Sequence, residues 1–414
     1  MGLAVDLGTT SVVVYLVDFR TGKPIGVKAD MTPQVVEGED VVSRISLCQG
    51  RSDNLKRLSG MVQKCINDLA ASVCREHGTS PDRIFECTLV GNPTMHHLFL
   101  GLDPTDLAMA PYRPTIVEGL SVRAAELALP FSPEAEIHLA PLKAGFVGAD
   151  AVAMALALNA DQVGEPTLMV DLGTNGEIVL ATPDAILCCA TAAGPAFEGG
   201  HIRWGMRGAP GAVDGFDLPH PDNEPVVSVI GGCAPIGICG SGLVSIVSAL
   251  VRAGVVTPTG AFAPERAGSR LREGPDGMEY LLVEAARTGT GRDLVLTHHD
   301  LAQLQLAKAA VHAGISLMMA ELGVTRITKV LLAGAFGNYL APESACGVHM
   351  LPGVTSDRIA SAGNAAGAGA VLMLTNRNQR RRATYLADRM RYLELAVHPG
   401  FNEAFLAGMA FSDG

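Results

Sequence analysis

The chain has 414 residues, 48% of them hydrophobic and 18% charged, enough for two or three domains with a large core and too apolar for a disordered chain. A formal net charge of −11 leaves no broad cationic surface for nucleic acid, and the apolar runs are too short or too broken by Gly and charge for a membrane span or secretory signal. The nine cysteines, odd in number and without a Cys-x-x-Cys, read as reduced, mostly buried thiols of a cytoplasmic protein.

Residues 3–18 predict a hairpin: an apolar strand to Asp6, a Gly-Thr-Thr turn, then a Val-rich strand. Met61, Cys65, Leu69 and Val73 recur at helical spacing and predict a helix over 61–76. A strand over 87–90 ends in Gly91-Asn92-Pro93-Thr94. Residues 109–142 are Pro-rich and change register often, which predicts an inserted lobe at about 105–145 or a long connection. An Ala-rich helix over 149–160 closes the first half. The second half opens with a strand over 167–171 and repeats the plan, with Gly-rich loops at 193–200 and 205–215. Gly240-Ser241-Gly242 precedes an apolar helix over 243–253, and residues 257–280 read as loop and a short hairpin. A long helix is expected over 300–322 with Asp300 as its cap, then a strand over 329–332 running into Ala333-Gly334-Ala335-Phe336-Gly337-Asn338. An Ala/Gly helix over 364–374, a basic helix over 377–391 and a tail over 393–411, first strand and then short helix, complete the chain.

Two stretches nearly repeat each other: Asp6-Leu7-Gly8-Thr9-Thr10 and Asp171-Leu172-Gly173-Thr174-Asn175. In each, an apolar strand ends in Asp and turns through Gly and hydroxyl residues into a second apolar strand. Gly lets backbone N–H groups approach an anion, and Thr and Asn add donors. A carboxylate there repels phosphate, so Asp6 and Asp171 are assigned to Mg²⁺ or its water. Gly8, Thr9, Thr10, Gly173, Thr174, Asn175 and Gly176 are the expected phosphate cradle, and two copies suggest two similar domains clamping one nucleotide. Asn92 or Thr94 is a further candidate for the γ-phosphate. Glu177 and Glu198 are candidates for positioning an attacking water, or else ordinary surface carboxylates. His96 and His97 cannot share a helical face, which favours capping and packing over metal binding. Cys188, Cys189, Cys233 and Cys239 match no cluster spacing and read as small buried residues. Arg377, Arg380, Arg381, Arg382, Arg389 and Arg391 make either a solvated face or a dock for an acidic partner.

Strands alternating with helices indicate α/β architecture. The repeated hairpin-led plan resembles the actin-like ATPase fold of sugar kinases and heat-shock chaperone ATPases. That resemblance implies two ribonuclease-H-like halves, residues 1–160 with the inserted lobe and 161–414 with a C-terminal tail, and a nucleotide cleft between them. Gly334, Ala335, Phe336, Gly337 and Asn338 resemble the adenosine motif of that superfamily, with Phe336 either stacking near the base or packing inward.

More narrowly, the chain resembles the reductive activators of corrinoid proteins. The resemblance rests on Asp6–Thr10, residues 91–97, Val147-Gly148-Ala149-Asp150, residues 171–178, 193–200 with Gly205-Met206-Arg207, 235–243, 304–314, 332–339 and 392–411. It implies an ATPase using ATP and Mg²⁺ that returns a Co(II) corrinoid protein of a methyltransferase system to Co(I), in the cytoplasm and as a homodimer. Members of that family carry an amino-terminal [2Fe–2S] domain of ferredoxin type. The first phosphate strand here begins at about Leu3, so the electron donor is expected on another part or chain, and a chain cut from something longer is the favoured reading. The rival readings are a small-metabolite kinase, a nucleotide-gated interaction module without catalysis, and an activator of iron–sulfur dehydratases.

Overall fold

The computed structural model describes residues 1–38, 40–173 and 175–411, with Ala335 described by its backbone alone. In chain order the first elements are β1 (Gly2–Leu7), β2 (Ser11–Asp18), β3 (Lys23–Met31), α1 (Val41–Cys48), α2 (Ser52–Glu76), β4 (Glu86–Gly91), α3 (Pro93–Leu100), β5 (Leu120–Arg123), β6 (Glu136–Leu139) and α4 (Ala149–Ala157). Next come β7 (Thr167–Leu172), β8 (Gly176–Ala181), β9 (Ile186–Thr191), β10 (Ala212–Asp217), β11 (Val226–Val229), β12 (Gly237–Ile238), α5 (Gly240–Arg252) and α6 (Pro264–Ala267). Then follow β13 (Leu271–Gly274), β14 (Gly277–Val283), β15 (Leu294–Thr297), α7 (His298–Leu322), β16 (Lys329–Ala333), α8 (Gly334–Tyr339) and α9 (Pro342–Gly347). The last are β17 (Ile359–Gly363), α10 (Ala365–Thr375), α11 (Arg377–Arg389), β18 (Met390–Tyr392) and α12 (Phe401–Ala407). These form two compact units: unit 1 holds residues 1–164, 181–189 and 364–392, and unit 2 holds 165–180, 190–363 and 393–414.

In unit 1 the sheet order is β3-β2-β1-β4-β6-β5, with β1, β4 and β6 parallel and β2, β3 and β5 antiparallel to their neighbours. Leu3, Val5 and Leu7 of β1 are wholly buried in a core with Leu58, Val62, Ile66 and Val73 of α2. That helix starts nine residues earlier than its apolar stripe predicts, because its opening turns carry Asp53, Asn54, Lys56 and Arg57 and so show no stripe. The expected lobe is instead sheet: β6 pairs in parallel with β4 and β5 edges it. Its proline-rich flanks hid two strands of only four residues each.

In unit 2, β17-β16-β7-β8 are successive neighbours, with β16 parallel to both β7 and β17. Two three-stranded sheets, β11-β10-β12 and β13-β14-β15, stand apart from that one. Helix α7 is capped by Thr297, whose hydroxyl accepts from the Asp300 N–H, while Asp300 answers the Thr297 N–H at 2.9 Å. Asp300 is therefore the third helical residue of a capping box, not the cap itself. The tail departs from expectation too: Met390–Tyr392 is the strand, and 393–411 hold a single 3-10 turn and α12. Cys233 is exposed just after the Gly231-Gly232 turn, against its expected burial, while Cys188, Cys189 and Cys239 are buried. No helix among the described residues is long and apolar enough to cross a membrane.

Candidate functional site

Both Asp-tipped turns lie where parallel strands end. In unit 1, Asp6 pairs in register with Val90 and Leu7 with Gly91, so Asn92 arrives beside the turn that follows β1. Asn92 caps α3: its Oδ1 accepts from Met95 N at 3.0 Å and its Nδ2 donates to Thr9 Oγ1 at 2.9 Å. Both polar ends of Asn92 are thus spent on shaping the turn. Thr94 is buried in the first turn of α3. His97 donates from Nδ1 to Pro93 O at 2.7 Å and accepts from Thr115 N at 3.0 Å, which fixes its tautomer and gives it a packing role. The turn itself is closed by Gly8 N to Ser11 O at 2.9 Å, and Thr32 grips it with its N–H on Thr10 O and its hydroxyl on Gly8 O.

Two residues absent from the sequence-derived candidates complete this corner. Asn364 caps α10 by accepting from Gly367 N, and its Nδ2 donates to Asp6 Oδ2 at 2.8 Å. Asp150, in the first turn of α4, accepts from Ala151 N at 2.8 Å. Gly148 brings it in: a side chain there would begin 2.6 Å from Asp150 Oδ1 and 2.5 Å from the Asn92 Cα. Burial pushes the Asp6 carboxyl up to about 6, against the pull of the Asn364 hydrogen bond. Burial and the neighbouring Asp6 charge push Asp150 up to about 7, and the same two causes take Tyr15 to about 12. Two buried carboxylates that repel each other are an arrangement a divalent cation relieves. Asp6 and Asp150 are hard oxygen donors, and among the described residues no group of three or more His, Cys, Asp or Glu forms a cage. That donor set fits Mg²⁺, which keeps most of its waters and takes one or two carboxylates with substrate phosphates.

In unit 2, Asp171 pairs in register with Ala333, which sets Gly334 directly against it. Gly334 has φ +76°, and a side chain there would begin 2.0 Å from Asp171 Oδ1. The turn closes by Gly173 N to Asn175 O at 2.9 Å, and Thr191 donates its hydroxyl to Gly176 O at 3.3 Å. Glu198 Oε1 stands 3.3 Å from where a Gly173 side chain would begin, so it is the carboxylate beside the second turn. Glu177 is the second residue of β8, half-buried on the strand leaving that turn. Phe336 packs inward, its ring 4.9 Å from that of Phe197. Gly337 lies on α8 close against Leu332, and Asn338 Oδ1 accepts from the Ser361 hydroxyl. Thr174 and the Ala335 side chain lie outside the described residues.

The architecture and the paired turns define an ASKHA, or actin-like, domain. Residues 165–414 match the family described as the C-terminal domain of RACo, the ASKHA domain, and residues 1–163 match the RACo middle region. The chain belongs to the RACo family. It is similar to the corrinoid activation enzyme RamQ of Eubacterium limosum, with 33% identity over 421 residues, covering 100% of this chain and 70% of that protein. It is also similar to the [Co(II) methylated amine-specific corrinoid protein] reductase of Methanosarcina barkeri, 23% identical over 443 residues, covering 99% of this chain and 77% of that one. Among solved structures, a reductive activator for corrinoid, iron–sulfur protein superposes with a TM-score of 0.89 at 36% identity, over 99% of this chain. The chain spans 65% of that protein's length.

Proposed function

We propose that this chain supplies ATP binding, ATP hydrolysis and partner docking in the reductive activation of a corrinoid protein, from Co(II) to Co(I), in the cytoplasm. The observation that carries the reading is the doubled Asp-tipped turn, each Asp held by a second element: Asp6 by Asn364 and Asp171 by the close approach of Gly334. Mg²⁺ supplies charge neutralisation and orientation of the phosphates when bound. In unit 1 Asp6, beside Asp150, would hold that ion or its waters, and in unit 2 Asp171 would do so. The backbone of Thr9 and Thr10 and of Asn175 and Gly176 donates to phosphate oxygens, while Gly8 N and Gly173 N close the two turns, and Gly334–Asn338 bears on the nucleoside. Glu198, beside Gly173, orients the attacking water.

Reducing Co(II) in a corrinoid protein is uphill for ordinary biological reductants. Nucleotide-linked closure that favours a partner geometry with a weaker lower axial ligand raises the potential, about 60 mV for each 1.4 kcal/mol in a one-electron step. The electron itself comes from a ferredoxin-like [2Fe–2S] donor. The test is phosphate release from Mg²⁺-ATP with and without a purified Co(II) corrinoid protein. Strong stimulation by the partner supports the reading. Phosphoryl transfer to a small metabolite, indifferent to the partner, overturns it in favour of a kinase.

A further inference from the structure

Arg44 is wholly buried on α1, and among the described residues no carboxylate stands within ion-pair distance of it. Its guanidinium donates instead to Thr9 O at 2.6 Å, Gly38 O at 3.0 Å, Gln34 Oε1 at 3.1 Å and Met95 Sδ at 3.2 Å. Gln34 is itself committed, donating from Nε2 to Leu58 O at 2.7 Å, so its oxygen is held toward the cation. Burial lowers the Arg44 pKa to about 10, which still leaves it charged at neutral pH. The Asp40 charge only partly offsets that burial, and a buried cation with no carboxylate in direct contact among the described residues is retained in a core at the expense of stability.

The strongest of these contacts ends on the first phosphate turn. Thr9 is clamped twice, by Arg44 on its carbonyl and by Asn92 on its hydroxyl. The two clamps meet at Met95, whose sulfur faces Arg44 and whose N–H binds Asn92 Oδ1. In the trans Thr9–Thr10 peptide the Thr10 N–H points opposite the Thr9 carbonyl. A cation on that carbonyl polarises the whole peptide group and makes the N–H a stronger donor. The same charge, in a low-dielectric setting, raises the potential over the turn.

We propose that Arg44 is a positioning residue for polyphosphate: acting through the Thr9 carbonyl, it fixes and polarises the first turn so that the turn selects nucleotides by phosphate charge. The proposal rests on the reading of the Asp6–Thr10 turn as a nucleotide site. Lysine, a point charge without the planar fork, cannot hold these four acceptors together.

The experiment is calorimetric titration of ATP, ADP and AMP into wild type, Arg44→Lys and Gln34→Glu, with thermal melting as the check on folding. Gln34→Glu keeps the side-chain shape, sets a carboxylate against Arg44 and gives up the bond to Leu58 O, all without touching Thr9, and the melting curve reads the cost of that lost bond. Both variants are expected to melt as folded proteins, to bind AMP like wild type, and to lose roughly tenfold in ATP affinity, the scale of one charge-assisted hydrogen bond. An unchanged ratio of ATP to AMP affinity in Gln34→Glu overturns the proposal, as does an equal loss for all three nucleotides in either variant. Wild type that binds none of them overturns the nucleotide reading itself, a result the variants cannot produce.

Discussion

Replacing Gly334 by alanine separates what the second turn does from what the fold needs. Two penalties act at this position. The positive φ of +76° costs an L-residue about 1–2 kcal/mol. The added methyl would begin 2.0 Å from Asp171 Oδ1, so the carboxylate must swing away. Gly353 supplies the control, because its φ is +64° and a side chain there meets nothing within 4 Å. Gly353→Ala therefore carries the strain without the displacement. Both variants should melt a few degrees low, about 2–4 °C for each kcal/mol in a unit of this size. They should part company in catalysis: moving a charged group by about 1 Å costs on the order of 100-fold. The assay is Mg²⁺-ATP hydrolysis, with the corrinoid protein present, beside melting curves for both variants. If Gly334→Ala hydrolyses as fast as Gly353→Ala, the Asp171 carboxylate has no part in hydrolysis.

Asp171→Ala should abolish hydrolysis and partner activation while leaving the melting temperature near wild type; normal turnover would sink the metal assignment. Asn364→Ala should cost about 1 kcal/mol through the lost helix cap. It also removes the hydrogen bond that favours ionised Asp6, so the acid limb of the pH–rate profile should move upward. Asp150→Asn removes the carboxyl that burial and the Asp6 charge push up to about 7, so the upper step of the acid limb should disappear while the lower one stays; a profile with both steps intact would refute the arrangement. Burial lowers His96 to about 3 and His138 to about 4. Each therefore binds its proton more readily when unfolded, so the stability it contributes is present above pH 6.5 and declines as pH falls toward its folded pKa. Between pH 6.5 and 5 the loss is about 2 kcal/mol for each histidine. Urea unfolding of His138→Gln at the two pH values should show a visibly smaller drop than wild type.

The parts of the site legible in sequence are those that chemistry writes into short motifs. Asp6-Leu7-Gly8-Thr9-Thr10 and its second copy are contiguous, so the turn, its Gly and its terminal Asp are all in view at once. Gly334 was legible as a motif residue, but its reason was not, since the need for a bare Cα comes from a parallel pairing of Ala333 with Asp171. Asn364 carries a local signal, a capping residue before an Ala/Gly helix, yet its second bond reaches back to Asp6 at the far end of the chain. Asp150 stood inside a recognised stretch, and only the bare Gly148 Cα beside Asn92 shows why it matters.

Arg44 is the hardest case. Arg44 sits among Val41, Val42, Ile45 and Leu47, where helical periodicity carries no signal that an arginine is buried. Its burial follows from acceptors brought together by the fold, on Thr9, Gln34, Gly38 and Met95. Consecutive residues therefore carry the candidate ligand-facing turns, and these show in a sequence pattern. What such a pattern misses is the support behind those turns, assembled by tertiary contacts and dominated by polar groups that periodicity assigns to solvent. In this chain the support is charged, and on the proposed reading a charge under the first turn acts on the nucleotide as well as on the fold.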